Sequence, residues 1–254
     1  MTKLSVTLVQ CHLVWENPSA NRRKIQQLLN PVNKSDLIVL PEMFSTAFSM
    51  TAQAESMQGE TIQWMSRLAK DKQALIIGSL IVEEHEKKYN RLICSFPNGA
   101  IEYYDKRHLF GLIDESAHFK AGKQRLIINY KNWRICPMIC YDLRFPVFSR
   151  NHQDYDVLIY VANWPETRIH HWKKLLEARA IENQSYVIGV NRVGNDDNGI
   201  FFNGQSRVID ASGLCLYEGN DIEDLPTVEL DYQSLMFVRK KYPFLGDADD
   251  FTIH

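Results

Sequence analysis

The stretch ICPMICYDLRFP, residues 135–146, changes its character abruptly in the middle. Its first half, up to residue 139, is apolar, as is typical of a β-strand that is covered on both faces. The apolar run stops at Cys140, and polar residues follow directly, beginning with Tyr141 and Asp142. A cysteine that only fills the core does not require a change from apolar to polar residues directly after it in the sequence. The pattern therefore indicates a nucleophilic cysteine held at the end of a strand, with a sharp turn after it.

Apolar runs of strand length recur along the chain and predict further β-strands. They lie at residues 4–9, 36–40, 74–82, 125–130, 133–139, 156–162 and 185–190. Segments with apolar residues at helical spacing lie between some of them, at residues 17–30, 59–72 and 167–183. Two pairs of short runs, each joined by a glycine-containing turn, predict β-hairpins at residues 90–104 and 206–217. This mixture predicts an α/β layered fold, and with no repeat or linker we expect one domain over residues 1–254.

The composition excludes several classes of protein. Of the 254 residues, 45% are hydrophobic and 24% charged, which suits a globular fold with a sizeable core. A formal net charge of -2 with scattered basic residues argues against a general nucleic-acid binder. Five cysteines without a CxxC pattern favour a reducing compartment over a disulfide framework. Since no signal peptide and no apolar run of ~20 residues is present, we expect a cytoplasmic protein without membrane contact.

Three polar residues stand where apolar strands end. Glu42 follows the run 36–40, Lys106 follows residues 101–105, and Cys140 follows the run discussed above. Ligands of open α/β sheets gather outside the carboxyl ends of strands, so these three side chains are candidates for a common site.

Together these side chains have the chemistry of acyl transfer. A cysteine is nucleophilic as the thiolate, so its proton must be removed, and Glu42 can serve as that general base and later protonate a departing amine. Lys106 can stabilise the thiolate and then the oxyanion of a tetrahedral intermediate, with the backbone N–H of Tyr141 as a second donor. The sequence thus predicts attack of Cys140 on an amide or nitrile carbon. No metal or organic cofactor is required, and no HExxH, GxGxxG or P-loop pattern is present.

Each of these residues also has a structural interpretation when it is taken alone. Cysteine is among the most buried residue types, so Cys140 can be a core residue. Glu42 can be a solvated carboxylate where a strand exits, and Lys106 can belong to a charged turn. The joint pattern of the three, in this order, favours the catalytic interpretation.

That joint pattern resembles a known family. VLPEMF (39–44), YDKRHLF (104–110) and ICYDLRFP (139–146) are similar to the three signature blocks of the carbon–nitrogen hydrolase (nitrilase) superfamily. The resemblance spans about residues 4–217 and extends to ANWP (162–165) and to the block at 178–194. It implies a four-layer αββα sandwich, a homodimer that joins two such sandwiches, and a thioester mechanism.

The resemblance also implies roles for particular residues. In the family, the Glu, Lys and Cys of the three blocks form the catalytic triad, which corresponds here to Glu42, Lys106 and Cys140. Many members carry a second glutamate between the Lys and Cys blocks that orients the lysine, and Glu115 in LIDESAHFKAG matches that position.

Within the superfamily the motifs resemble the omega-amidase branch. That branch hydrolyses the terminal amide of a short 2-oxo-dicarboxylate monoamide, so the resemblance implies the conversion of 2-oxoglutaramate to 2-oxoglutarate and ammonia. One alternative is a hydrolase of another small linear amide or carbamoyl compound, such as an N-carbamoyl amine or a deaminated glutathione. The other is a catalytically silent interaction module of the same fold, which the intact set of three residues disfavours.

Further residues are candidates for the wall of the substrate pocket. Phe44 and Phe48 lie just beyond Glu42, and Trp164 follows the strand at 156–162, although aromatic residues also serve as simple core. Arg168 can hold a substrate carboxylate through two parallel hydrogen bonds, with an exposed surface arginine as the alternative.

Other polar residues near these motifs are expected to have structural roles. We expect Asp142 and Arg144 to form structural hydrogen bonds behind the nucleophile. The segment from about residue 225 to 254 carries no catalytic signal, and it either packs at a subunit interface or covers a sheet edge.

Overall fold

The computed structural model describes residues 3–253, and their strands and helices alternate along the chain. The strands are β1 (Lys3–Leu8), β2 (Leu37–Val39), β3 (Leu75–Glu84), β4 (Lys87–Ser95), β5 (Ile101–Asp105), β6 (Ile128–Tyr130), β7 (Trp133–Ile139), β8 (Val157–Ala162), β9 (Tyr186–Asn191), β10 (Val193–Asn195), β11 (Phe201–Asn203), β12 (Arg207–Ile209), β13 (Cys215–Glu218) and β14 (Thr227–Asp231). The α-helices are α1 (Pro18–Leu29), α2 (Glu60–Lys72), α3 (Glu115–His118), α4 (Pro146–Ser149), α5 (Ile169–Asn183) and α6 (Tyr232–Lys241). Short 3-10 helices lie at Gly111–Ile113, Cys140–Arg144, Glu166–Arg168 and Phe244–Asp247.

Two mixed sheets form the centre of the described chain. The first has the strand order β14-β1-β2-β3-β4-β5, and the second has the order β13-β12-β9-β8-β7-β6. In each sheet the three central strands β1-β2-β3 or β7-β8-β9 are parallel, and antiparallel strands flank them. A small ribbon of β10 and β11 stands apart from both sheets.

The apolar side chains explain how the sheets and helices pack. One core cluster contains residues of both sheets, including Leu4 and Val39 of the first and Ile135 and Val161 of the second, so the sheets pack face to face. On the outer side of the first sheet, α1 and α2 bury Ile25, Leu29, Ile62 and Met65 against it. On the second sheet, α5 buries Trp172 and Leu176 close to Gly189 of β9. The predicted αββα layering is therefore confirmed.

Most elements predicted from periodicity are present, and their ends differ by only a few residues. The strand predicted at 133–139 coincides with β7, and both hairpins form, as β4–β5 and β12–β13. Asn17 caps α1 by accepting a hydrogen bond from the backbone of Ala20 at 3.0 Å, and Pro18 is the first helical residue.

The segment from residue 225 onward covers a sheet edge in the structure. Strand β14 pairs with β1 as the outer strand of the first sheet, and α6 follows it. Arg239 of α6 is bound to the second sheet through hydrogen bonds to Asp156 and to the carbonyl of Tyr155. In the described range 3–253, no helix is long and apolar enough to cross a membrane.

Candidate active site

The sandwich brings the three predicted residues together from both sheets. The first sheet supplies Glu42, which follows β2, and Lys106, which follows β5 directly. The second sheet supplies Cys140, which follows β7. All three lie at the carboxyl ends of their strands, as expected for a site built on parallel strands.

Lys106 lies between two carboxylates. Its ammonium donates to Glu42 Oε1 at 2.9 Å and to both carboxylate oxygens of Glu115 at 3.0 Å, and all three side chains are fully buried. Burial alone would lower the pKa of Lys106, but the negative charges of Glu115 and Glu42 outweigh it and raise this pKa above its usual value. The lysine is therefore a permanent cation. Glu115, predicted to orient the lysine, occupies the position for that role.

Glu42 is fixed by two asparagines as well as by Lys106. Asn90 donates its side-chain N–H to Glu42 Oε1 at 2.8 Å, and the backbone N–H of Asn163 donates to Oε2 at 2.9 Å. The side-chain amide of Asn163 also donates to the backbone carbonyl of Glu42 at 2.7 Å. Oε2 is the less tightly held oxygen, because its second contact, from the side-chain amide of Asn163, is long at 3.5 Å, so Glu42 can accept a further proton there without leaving its place.

Cys140 occupies an unusual backbone conformation at the tip of the site. Its φ is +43°, in the left-handed region that non-glycine residues avoid, and such strain is found where a side chain must be presented to a ligand. Cys140 is 8% exposed and lines the pocket described below, so a small molecule can reach its sulfur. Burial raises the pKa of the Cys140 thiol well above its usual value, the charge of Glu42 raises it further, and Lys106 opposes both. The free cysteine is thus a neutral thiol that needs a base.

Asp142 supports the strained turn from behind. Its carboxylate accepts hydrogen bonds from the Tyr104 hydroxyl at 2.7 Å and from the backbone N–H groups of Ile139 and His108 at 3.0 Å. The His108 ring is also 2.7 Å from it, through Nδ1. This buried carboxylate joins the residues after β5 to the end of β7, as expected for a structural role.

The turn after Cys140 is a 3-10 helix of five residues, Cys140–Arg144. The sequence predicted a sharp turn after Cys140, and the structure shows that this turn is a single short helix of the tighter kind. Tyr141 is its second residue, and the first N–H groups of a helix have no acceptor within the helix. Tyr141 also lines the pocket, so its N–H remains a candidate donor to an oxyanion.

A pocket of about 520 Å³ opens over Cys140. Of the predicted wall residues, Phe48, Trp164 and Arg168 line it, and the Phe48 ring lies 5.3 Å from the Lys106 ammonium. Phe44 is different: its ring is fully buried in the core between the first sheet and α2, 5.9 Å from Trp64. Phe44 therefore does not line the pocket, and the expectation that it belongs to the pocket wall is wrong.

Arg144 also departs from its expected role. It was expected to form hydrogen bonds behind the nucleophile, but its side chain lines the pocket and its guanidinium lies 4.8 Å from the Trp164 ring centroid. Adjacent residues of a 3-10 helix are about 120° apart, so Arg144 cannot point the same way as Asp142. Asn163 and Asn90 were missed as partners of Glu42. The ANWP motif contained Asn163, whereas nothing local marked Asn90.

Comparison with known proteins identifies the family. Residues 5–240 match the family model described as carbon-nitrogen hydrolase. The chain belongs to the carbon–nitrogen hydrolase family, and the resemblance carried by its three motifs is confirmed.

Individual relatives match over the whole chain. The chain is 45% identical over 256 residues to the omega-amidase YafV of Escherichia coli (strain K12), with 100% of both chains covered. It is 34% identical to the 2-oxoglutaramate amidase of Bacillus subtilis (strain 168), over 96% of this chain and 97% of that protein. The crystal structure of XC1258 from Xanthomonas campestris, a CN-hydrolase superfamily protein with an arsenic adduct in its active site, matches with a TM-score of 0.98, 41% identity and 100% of both chains. These relatives show an enzyme that hydrolyses carbon–nitrogen bonds other than peptide bonds.

Proposed function

We propose that this enzyme hydrolyses the terminal amide of a short 2-oxo-dicarboxylate monoamide, 2-oxoglutaramate, to 2-oxoglutarate and ammonia. The identity of the substrate rests on the omega-amidase and 2-oxoglutaramate amidase relatives. The chemistry rests on one observation. Lys106 is held between the buried carboxylates of Glu42 and Glu115. Beside it, the strained Cys140 lines the pocket, and the charges of Lys106 and Glu42 act on the pKa of its thiol.

In the first half of the reaction, Cys140 attacks the amide. Glu42 takes the thiol proton as the sulfur forms a bond to the carbonyl carbon, because the free thiol is neutral and needs a base. Lys106 and the Tyr141 N–H stabilise the oxyanion of the tetrahedral intermediate. The carbon–nitrogen bond then breaks, Glu42 returns its proton to the nitrogen, and ammonia leaves a thioester on Cys140.

In the second half, water replaces ammonia at the same carbon. Glu42 takes a proton from the water as its oxygen attacks the thioester, and the same two donors hold the new oxyanion. The carbon–sulfur bond breaks, Glu42 returns the proton to the sulfur of Cys140, and the carboxylic acid is released. Glu115 keeps a negative charge beside Lys106 whenever Glu42 is protonated, so the lysine is never left without a counterion.

The chemistry is tested by replacing the nucleophile. Cys140→Ala is expected to abolish ammonia release from 2-oxoglutaramate while the thermal unfolding temperature stays close to that of the wild type. Cys215→Ala is the matched control, because Cys215 lies on β13 and does not line the pocket. Turnover by Cys140→Ala at the wild-type rate would refute the mechanism.

The substrate is tested separately by comparing kcat/KM for 2-oxoglutaramate, an N-carbamoyl amine and a deaminated glutathione. We expect 2-oxoglutaramate to be preferred by at least about tenfold, the effect of one good polar contact. A higher kcat/KM for either of the other compounds would overturn the proposed substrate and leave the mechanism standing.

We further infer that the chain forms a homodimer, which the family resemblance implies. Large apolar side chains are exposed around α6, including Phe237, which is 65% exposed, and Phe244, which is 61% exposed. Exposed apolar patches of this kind mark interaction surfaces. Light scattering after size exclusion is expected to give twice the chain mass for the wild type and the mass of one chain for Phe237→Glu. A wild-type chain that elutes as a monomer would contradict the inference.

A further inference from the structure

A second cavity lies at the opposite end of β7 from Cys140. Its volume is about 560 Å³, close to that of the active-site pocket, and it is bounded by α6 and by the amino end of β7. Strand β7 has seven residues, and a strand rises about 3.3 Å per residue, so roughly 20 Å separate this cavity from the nucleophile. We call it the basic cavity, and the lining residues that define it are Arg134, Gln184, Tyr232, Met236, Arg239 and Lys240.

Two arginines of the basic cavity share one carboxylate. Arg134 Nη2 and Arg239 Nη1 both donate to Asp156 Oδ1, at 2.7 and 2.8 Å, so the two guanidiniums lie next to each other. Each of these side chains makes three hydrogen bonds within residues 3–253, and a guanidinium has five N–H donors. Each arginine therefore keeps two N–H donors for a further acceptor.

The positive charge of the basic cavity is only partly neutralised. Asp156 is a single carboxylate for the two guanidiniums, and no acidic residue of the described range lines the cavity itself. Lys240 is exposed and forms no ion pair within residues 3–253. Three cations thus face one carboxylate, and two positive charges remain for a ligand to match.

Gln184 adds an unpartnered acceptor to the same cavity. The residue is 3% exposed, its Nε2 donates to the backbone carbonyl of Tyr242 at 2.6 Å, and its own backbone carbonyl accepts from Arg239 Nε at 2.8 Å. These bonds keep Gln184 beside Arg239 and establish which end of the amide is the oxygen. That oxygen, Oε1, is buried and has no hydrogen-bond partner among the described residues. Because an unpaired buried acceptor is unfavourable, a ligand that donates an O–H or N–H to it is stabilised.

We propose that the basic cavity is a second ligand site, which binds a small organic dianion that also carries a hydroxyl group, as a sugar phosphate does. The anionic oxygens accept hydrogen bonds from Arg134, Arg239 and Lys240, and the hydroxyl donates to Gln184 Oε1. A cavity of this size holds a carbon skeleton as well as the anionic group. The site is separate from the amide hydrolysis and does not depend on the proposed substrate.

Calorimetric titration with ribose 5-phosphate tests the site. The wild type is expected to bind one molecule per chain, whereas ribose, which lacks the phosphate, is expected not to bind. Lys240→Met removes one charge and leaves Asp156 with both arginines, and it is expected to raise Kd about 10- to 100-fold, the loss of a hydrogen bond to a charged group. Lys241→Met is the matched control, because Lys241 is the next residue of α6, is exposed and does not line the cavity. It is expected to change Kd by at most about twofold.

Two further comparisons test the hydroxyl group and identify the anion. Hydrogen phosphate and sulfate have the same shape and, at mildly alkaline pH, nearly the same charge, but only hydrogen phosphate has an O–H to donate to Gln184. Phosphate is therefore expected to bind at least about tenfold more tightly than sulfate. Malate, a hydroxy dicarboxylate, is titrated beside ribose 5-phosphate, and only binding that Lys240→Met weakens is assigned to the cavity. A lower Kd for malate would assign the site to hydroxy dicarboxylates, and a lower Kd for ribose 5-phosphate would assign it to phosphate esters.

Several outcomes would overturn the inference. One is the absence of saturable binding of both ribose 5-phosphate and malate. Another is equal weakening by Lys240→Met and Lys241→Met, which would show unspecific attraction to a basic surface. If Lys240→Met eluted as a monomer, as is expected of Phe237→Glu, the cavity would belong to a subunit contact and not to a ligand. Sulfate that bound as tightly as phosphate would refute the contact with Gln184. Ammonia release by Lys240→Met is expected to equal that of the wild type, so failure of the site would leave the proposed function standing.

Discussion

Replacing Glu115 by glutamine tests why Lys106 has two carboxylate partners. Glu42 is neutral after it accepts the thiol proton, so Lys106 then keeps a single carboxylate, that of Glu115. Glutamine offers one oxygen to the ammonium and turns an N–H₂ group toward it, so one of the two 3.0 Å bonds and the negative charge are lost. A hydrogen bond to a charged group contributes about 1.5–3 kcal/mol, which corresponds to a fall of roughly 10- to 150-fold in kcat.

The loss is expected in kcat and not in KM, because Glu115 is fully buried behind Lys106 and does not line the pocket. Steady-state release of ammonia from 2-oxoglutaramate measures both constants. Glu102→Gln is the matched control, since Glu102 is exposed on β5, the strand that precedes Lys106. Glu115 also accepts the backbone N–H of Phe110 at 2.6 Å, a bond that glutamine can keep through its oxygen. If Glu115→Gln retained wild-type kcat, Glu115 would only hold this loop, and the counterion argument would be refuted.

Two further substitutions test the charges of the site and of the C-terminal segment. Burial and the charge of Glu42 both raise the pKa of Cys140, and Glu42→Gln removes that charge. Alkylation of the thiol by iodoacetamide should therefore begin at lower pH in Glu42→Gln, although amide turnover is lost. An alkylation rate with the same pH dependence as in the wild type would contradict this. Burial alone would raise the pKa of Asp156, but hydrogen bonds from Arg134 and the charge of Arg239 outweigh it and hold this pKa below 3.8. Asp156→Asn should therefore lower the unfolding temperature by roughly 4–8 °C near neutral pH, from about 2 kcal/mol. The difference from the wild type should shrink as the pH falls below about 4, and a pH-independent difference would argue against an ionic contribution.

The elements around the site could be predicted because local patterns specify them. Strand β7 is apolar throughout and ends where the polar residues begin, and α1 carries its own cap at Asn17. The pairing of β14 with β1 joins residues that are more than two hundred positions apart, so no local sequence pattern predicts this pairing. The meeting of Glu42 and Lys106 with Cys140 also crosses from one sheet to the other. The spacing of these residues in the sequence does not predict that they meet, and that prediction came from the family resemblance.

The aromatic residues near Glu42 show where sequence patterns stop being informative. Met43 and Ala47 have φ values of +43° and +57°, so the chain changes direction on both sides of Phe44 and before Phe48. Neither strand nor helix periodicity applies to such a segment, and nothing in the sequence distinguishes the ring that faces the pocket from the ring that enters the core. Arg144 was misplaced for a related reason. The sequence does not determine the type of turn that separates the direction of Arg144 from that of Asp142, and the three-dimensional structure shows it to be a 3-10 helix.

The charges of the site also suggest how a substrate is oriented. The inner end holds two carboxylates and one ammonium around Cys140, whereas the wall carries the two guanidiniums of Arg144 and Arg168. A monoamide with one carboxylate is repelled at the inner end and attracted by the arginines, so its neutral amide is the group that reaches the sulfur. Hydrolysis then creates a second carboxylate next to Glu42 and Glu115, where like charges destabilise it. The charge pattern that directs the amide inward therefore also favours release of the product.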